Sequence, residues 1–125
     1  MDDRKVQRVL VVDDDRQFLE ATRTMLEEHG YDVVTAQDGS EGLRRAECES
    51  PDLIVLDVMM PRRSGFGVLE RIGRRGRTGP RIVVVSANEE VRHEQIAREK
   101  GADIYLKKPF EMRELLAAVD GLLKA

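Results

Sequence analysis

The chain has 125 residues, 41% of them hydrophobic and 36% charged, with a formal net charge of −3. That is the size and composition of one folded domain and not of a disordered segment, and the acidic balance argues against nucleic acid as a direct partner. No apolar run nears the ~20 residues of a membrane span, Met1-Asp2-Asp3-Arg4-Lys5 does not open a signal peptide, and the lone Cys48 excludes an internal disulfide, fits a reducing cytoplasm and does not stand at zinc-site spacing from His29 and His93.

Along the chain one pattern recurs, a short apolar run followed by a helical stretch. Val9-Leu10-Val11-Val12 runs into Asp13-Asp14-Asp15, and a helix is predicted from Gln17 to His29 with Phe18, Met25 and Leu26 on one side. Val33-Val34-Thr35-Ala36 ends near Gln37-Asp38 and precedes a helix from Ser40 to Glu49. Leu53-Ile54-Val55-Leu56 ends at Asp57, followed by a helix over Gly67 to Arg75 carrying Val68, Leu69 and Ile72. Ile82-Val83-Val84-Val85 ends at Ser86-Ala87. The next helix, about Glu89 to Lys100, offers Val91, Ile96 and Ala97 for burial and little else, so it can shift at low cost. Ile104-Tyr105-Leu106 leads to Lys107-Lys108-Pro109, and Met112, Leu115, Leu116, Val119, Leu122 and Leu123 form a stripe at helical spacing. Gly30, Gly76-Arg77-Thr78-Gly79-Pro80 and Gly101 punctuate the ends.

Three of the five runs are apolar without alternation, as in strands covered on both faces, which means a parallel sheet between helix layers. Five such units predict a doubly wound α/β sandwich forming a single domain over 1–125, with no linker, repeat or output module. Between Arg62 and Arg81 stand seven arginines and one acid, Glu70. A solvated helix face and loop is the simpler reading, and a docking patch for an acidic partner the functional one.

Open α/β sheets place their sites at the carboxyl ends of the strands. Gathered there are Asp13-Asp14-Asp15, Asp57, Ser86 and Lys107-Lys108. Neighbouring strands lie ~4.8 Å apart, so Asp57 is within reach of the others. Crowded carboxylates repel one another unless a cation intervenes, and an all-oxygen set suits Mg²⁺. A metal, a hydroxyl and an ammonium around one carboxylate make a phosphoryl-transfer site with that carboxylate as nucleophile.

At these residues the chain resembles the receiver domain of two-component response regulators, the CheY-like superfamily, over essentially its whole length. The resemblance rests on Val9-Leu10-Val11-Val12-Asp13-Asp14, Asp52-Leu53-Ile54-Val55-Leu56-Asp57-Val58-Met59-Met60-Pro61, Val85-Ser86-Ala87, Lys108-Pro109-Phe110, Gly65 and Gly101-Ala102-Asp103. It implies a flavodoxin-like (βα)5 fold with strand order 2-1-3-4-5. It also implies a signalling switch in which Asp57 accepts a phosphoryl group. Asp14 would ligate Mg²⁺ directly, Asp13 mainly through water, and the Met59 carbonyl would complete the protein's share; Mn²⁺ would substitute. Ser86 and Lys108 would contact phosphoryl oxygens, with Lys108 paired to Asp57 when the site is empty. Tyr105 would be an aromatic switch following Ser86, and the bond before Pro109 would be cis. Implied partners are a sensor histidine kinase or a histidine phosphotransfer protein, and a downstream protein target at the helix 4–strand 5–helix 5 face, with no direct nucleic-acid or membrane contact. The protein would be cytoplasmic, a monomer or a phosphorylation-dependent dimer.

Simpler roles compete at several positions. Asp15 suits a helix N-cap, and Ser86 could cap the helix that follows it. Tyr105, Phe18, Met25 and Met112 could be plain core, and both histidines solvated. By the resemblance, Met59 and Asn88 would flank the path of a hydrolytic water, and Arg62 and Arg63 follow the third run. The rival functions are a receiver-like binding module that works without phosphorylation, a piece of a longer regulator with an output domain, and a haloacid-dehalogenase-type phosphatase using Asp13-x-Asp15. The last lacks the residues expected after the acids and any cap insertion. The chain is therefore expected to be no enzyme beyond its own phosphorylation and dephosphorylation.

Overall fold

The computed structural model describes residues 6–59, 65–73, 79–87 and 90–124. Five strands and five helices alternate: β1 Arg8–Val12, α1 Arg16–Glu28, β2 Asp32–Ala36, α2 Gly39–Glu49, β3 Leu53–Asp57, α3 Gly65–Gly73, β4 Arg81–Ser86, α4 Val91–Glu99, β5 Ile104–Lys107 and α5 Met112–Leu123. All strands are parallel, in the order β2-β1-β3-β4-β5 expected of the resemblance. Among the described residues no helix is long and apolar enough to cross a membrane.

The unbroken apolar runs are buried as their lack of alternation requires. Within β1, Leu10 and Val12 join Leu43, Val68, Leu69, Ile72 and Ala97 in the layer of α2, α3 and α4. Val9 and Val11 point the other way, onto Leu19, Leu26, Leu115 and Val119 of α1 and α5. Strand geometry sends successive side chains to opposite faces, so every residue of a central strand has a core to enter.

The order of connections also fixes where the chain reverses direction across the sheet. β1 lies between β2 and β3, so the loops after β1 and β3 diverge and leave a crevice at their carboxyl ends. In register, Val12 pairs with Leu56 and Asp57 with Val85, which puts Asp13 and Asp57 on neighbouring strand tips.

Three sequence readings need correction. The helix after β4 begins at Val91, with Glu90 at its cap position, so Ser86 does not cap it but is a fully buried residue of the strand. Val91 does not help to bury α4: it is 73% exposed, and Ala97 is the buried residue of that helix. His93 is not simply solvated. Its ring lies 5.3 Å from that of Phe66, and its Nδ1 is buried without a hydrogen-bond partner among the described residues. Asp15 does cap α1, accepting from the backbone N–H of Gln17 at 2.9 Å and of Phe18 at 3.3 Å. Most of the arginine-rich stretch, including Arg62 and Arg63, lies outside the described residues, as does Asn88.

Candidate functional site

The acids stand where the strands run out. Asp13 follows β1 and is fully buried; its N–H donates to the Ala36 carbonyl at 3.1 Å, continuing the sheet by one rung. One of its oxygens accepts from the Asp15 N–H at 2.9 Å. The other accepts from the Lys108 ammonium at 3.0 Å. Asp14 is exposed beside it. Asp57, the last residue of β3, is 4% exposed, and its Oδ1 is held by the Met59 N–H at 2.8 Å. Oxygens of Asp13, Asp14 and Asp57 lie within 4.8 Å of one another.

Such a cluster is electrostatically unfavourable as it stands. Burial, aided by the charges of Asp13 and Asp14, pushes the Asp57 carboxyl up to about 6; the Met59 N–H and Lys108 oppose the shift without cancelling it. The Lys108 ammonium is raised. Burial alone would lower it, but the hydrogen bond and attraction of Asp13, then the attraction of Asp57, outweigh that effect. The two shifts agree physically, because Lys108 is committed mainly to Asp13 and lies 3.8 Å from Asp57. The pairing of Lys108 with Asp57 implied by the resemblance is thus present as the longer of two contacts.

A hard divalent cation fits this donor set. All three side chains offer carboxylate oxygens at mutual distances that one ion can span, and burial beside two further acids raises the Asp57 carboxyl, a cost that a bound cation would offset.

The remaining candidates divide. Ser86 ends β4, beside β3 and one residue beyond the partner of Asp57, and its backbone carbonyl accepts from the Lys108 N–H at 2.8 Å. Lys107 is exposed and Lys108 turns inward, as alternation requires. The Lys108–Pro109 bond is cis. Tyr105 is set back along β5, opposite Val84, and packs on the α2–α3–α4 side, where its hydroxyl is buried without a hydrogen-bond partner among the described residues. A shallow cleft of about 690 Å³ between the end of β2 and α2 lies elsewhere; Arg44 and Arg45 on its rim are paired with Glu41, and Arg45 also with Glu49.

Comparison with known proteins decides what this crevice belongs to. Residues 9–120 match the model of the response regulator receiver domain. The chain belongs to that family. This receiver is 42% identical over 117 residues to the alkaline phosphatase synthesis transcriptional regulatory protein PhoP of Bacillus subtilis, an alignment covering 94% of the chain and 48% of that protein. The chain thus spans about half the length of the curated relatives it matches. Its fold is similar to that of a CheY-like receiver from Methanospirillum hungatei, with a TM-score of 0.90 and 32% identity over 96% of this chain and 95% of that one. It is also similar to a response regulator from Burkholderia pseudomallei crystallised with a phosphorylated aspartic acid, calcium ion and citrate, with a TM-score of 0.82 and 29% identity over 90% and 65% of the two chains.

Two residues of this receiver matter more than the sequence alone suggested. A Cβ built on Gly65 would lie 2.3 Å from Val58 Cα and 2.6 Å from the Asp57 carbonyl, so only glycine lets α3 start against the tip of β3. Its place in the motif pointed to it, but the reason is a backbone approach that no sequence spacing reveals. Phe18, read as core, holds its ring 4.7 Å from the Lys108 ammonium.

Proposed function

We propose that this receiver is a signalling switch thrown by transfer of a phosphoryl group to Asp57. The observation that carries the reading is the charge constellation at one sheet edge. Three carboxylates lie within 4.8 Å of one another, and an ammonium stands 3.0 Å from Asp13 and 3.8 Å from Asp57. The phosphorylated aspartic acid and calcium ion of the Burkholderia neighbour support the same chemistry.

Asp13, Asp14 and the Met59 carbonyl are the groups that would hold Mg²⁺ beside Asp57. When bound, the ion supplies positive charge next to the oxygens of the transferring phosphoryl group. The chain's own residues do the rest. The Met59 N–H fixes one Asp57 oxygen and so orients the carboxylate. Burial raises the Asp57 carboxyl only while no cation offsets it; a divalent ion beside it would favour the ionised form, so that Asp57 attacks phosphorus as the carboxylate. As the new O–P bond forms, the bond from phosphorus to the donor breaks and its electron pair leaves with the donor, a phosphohistidine or a small acyl phosphate. Lys108 neutralises one phosphoryl oxygen, and the Ser86 hydroxyl donates to another. Water later cleaves the acyl phosphate and resets the switch.

The output would follow from Ser86 moving toward the phosphoryl group, Tyr105 turning, and α4 shifting. Support lies in how little of α4 is buried, with Ala97 its buried residue, and in a Tyr105 hydroxyl that is buried without a hydrogen-bond partner among the described residues. The donor would be a sensor histidine kinase or histidine phosphotransfer protein in the cytoplasm, and the target a protein meeting α4, β5 and α5. The length ratio to its relatives favours a second reading of the output, in which this receiver acts as one domain of a longer regulator.

Intact mass after treatment with acetyl phosphate and Mg²⁺ tests the proposal. Wild type gains ~80 Da, one phosphoryl group, and Asp57→Asn does not. Equal gain in the variant would remove Asp57 from the role.

A further inference from the structure

Lys108 sits at the end of a flexible four-carbon stem, yet it has to serve two anions, Asp13 and the acceptor Asp57. A third neighbour limits where it can go. The ammonium lies over the face of the Phe18 ring, 4.7 Å from its centroid. Phe18 belongs to the first turn of α1, which starts directly after the acids and is pinned there by Asp15, whose side chain accepts from the Phe18 N–H at 3.3 Å. The ring is braced in turn by a T-shaped contact with Phe110, at 6.1 Å and 84°, and Phe110 stands two residues after Lys108. Both ends of the lysine's environment, the turn after β1 and the turn after β5, are therefore stitched together through this aromatic pair.

We propose that Phe18 is a positioning residue for Lys108, its ring forming a platform that keeps the ammonium between Asp13 and the phosphoryl group on Asp57. The inference rests on the proposed function. A ring face attracts a cation without fixing its direction, so the ammonium can slide from Asp13 toward a new anion without leaving the ring. A carboxylate in the place of the ring would hold the ammonium back, and an aliphatic side chain would leave it to water. The ring also keeps solvent off that side of the ammonium, which strengthens its pull on the phosphoryl oxygens. In this arrangement Phe18 acts through the lysine, on whose ammonium its ring bears.

The test compares wild type, Phe18→Leu and Phe18→Tyr, each confirmed folded by thermal melting, with Phe18→Met replacing the leucine variant should that one fail to fold. The rate of phosphoryl gain from acetyl phosphate with Mg²⁺ is read by intact mass. The leucine variant should be slower by roughly two- to fivefold, the range of one cation–π contact at a partly exposed site, and the tyrosine variant should react like wild type. In a Lys108→Ala background, phenylalanine and leucine at position 18 should react alike. Independently of activity, the ring-current displacement of the Lys108 ε-protons in the NMR spectrum should vanish in the leucine variant and persist with tyrosine. A leucine variant as fast as wild type, or one slowed equally without Lys108, overturns the inference while leaving the proposed function standing. A wild type that gains no phosphoryl mass overturns the proposed function, and this inference falls with it.

Discussion

Asp57 carries a proton affinity that links chemistry to stability. Burial with two neighbouring acids holds its carboxyl at about 6, against an ordinary value of 3.8. The folded chain therefore binds this proton more tightly than the unfolded chain. Ionised Asp57 destabilises the metal-free fold fully above about pH 6, and the penalty disappears as pH falls through 6 toward 4. Two units would amount to at most about 3 kcal/mol; solvent at the mouth of the crevice screens part of it, leaving about 1–2 kcal/mol. In urea melts with chelator present, Asp57→Asn should be more stable than wild type by about that amount at pH 7.5, and by almost nothing at pH 4. A gain that is the same at both pH values would contradict the origin assigned to it.

Elements meet the site through backbone as much as side chains. α3 begins at Gly65 hard against Val58 and the Asp57 carbonyl, so Gly65→Ala must push α3 from the tip of β3. We expect a loss of about 2–4 kcal/mol in chemical denaturation, at the upper end for overpacking because backbone cannot yield, together with slower phosphorylation. α4 is the opposite case. It buries Ala97, meets α3 through the His93–Phe66 ring contact and through a pair from its cap residue Lys100 to Glu70 at 3.2 Å, and leaves Val91 bare. α5 buries Leu115, Ala118 and Val119 and carries a capping box between Glu111 and Glu114. Its far end is joined to the start of β2 by a hydrogen bond from the Tyr31 hydroxyl to Asp120. In native-state hydrogen exchange, α4 amides should open well before those of α5 or β3; equal protection would show α4 to be firmly packed and would weaken its proposed movement.

For the whole molecule, three carboxylates at the tips of two central strands mean that a cation bound among them stabilises the native fold and not the unfolded chain. Saturating Mg²⁺ should raise the melting temperature of wild type, with the dependence on concentration that linkage requires. Asp13→Asn and Asp57→Asn should blunt that rise, whereas a substitution on the far edge, such as Arg45→Ala in α2, should not. A rise of the same size in all of them would mean that Mg²⁺ acts elsewhere.

The parallel sheet, its covered faces and the gathering of Asp13, Asp14, Asp57, Ser86 and Lys108 at one edge were legible in the residues themselves, because continuous apolar runs and a polar residue at each run's end are local patterns. The buried strands had to lie between helices, and the strand tips had to share an edge. The tertiary structure alone decided that Lys108 sits closer to Asp13 than to Asp57, that Val91 faces water, that Ser86 ends a strand instead of starting a helix, and that Phe18 and Gly65 frame the site. Each of these depends on the distance between segments far apart in the chain, a quantity that hydrophobic periodicity does not encode.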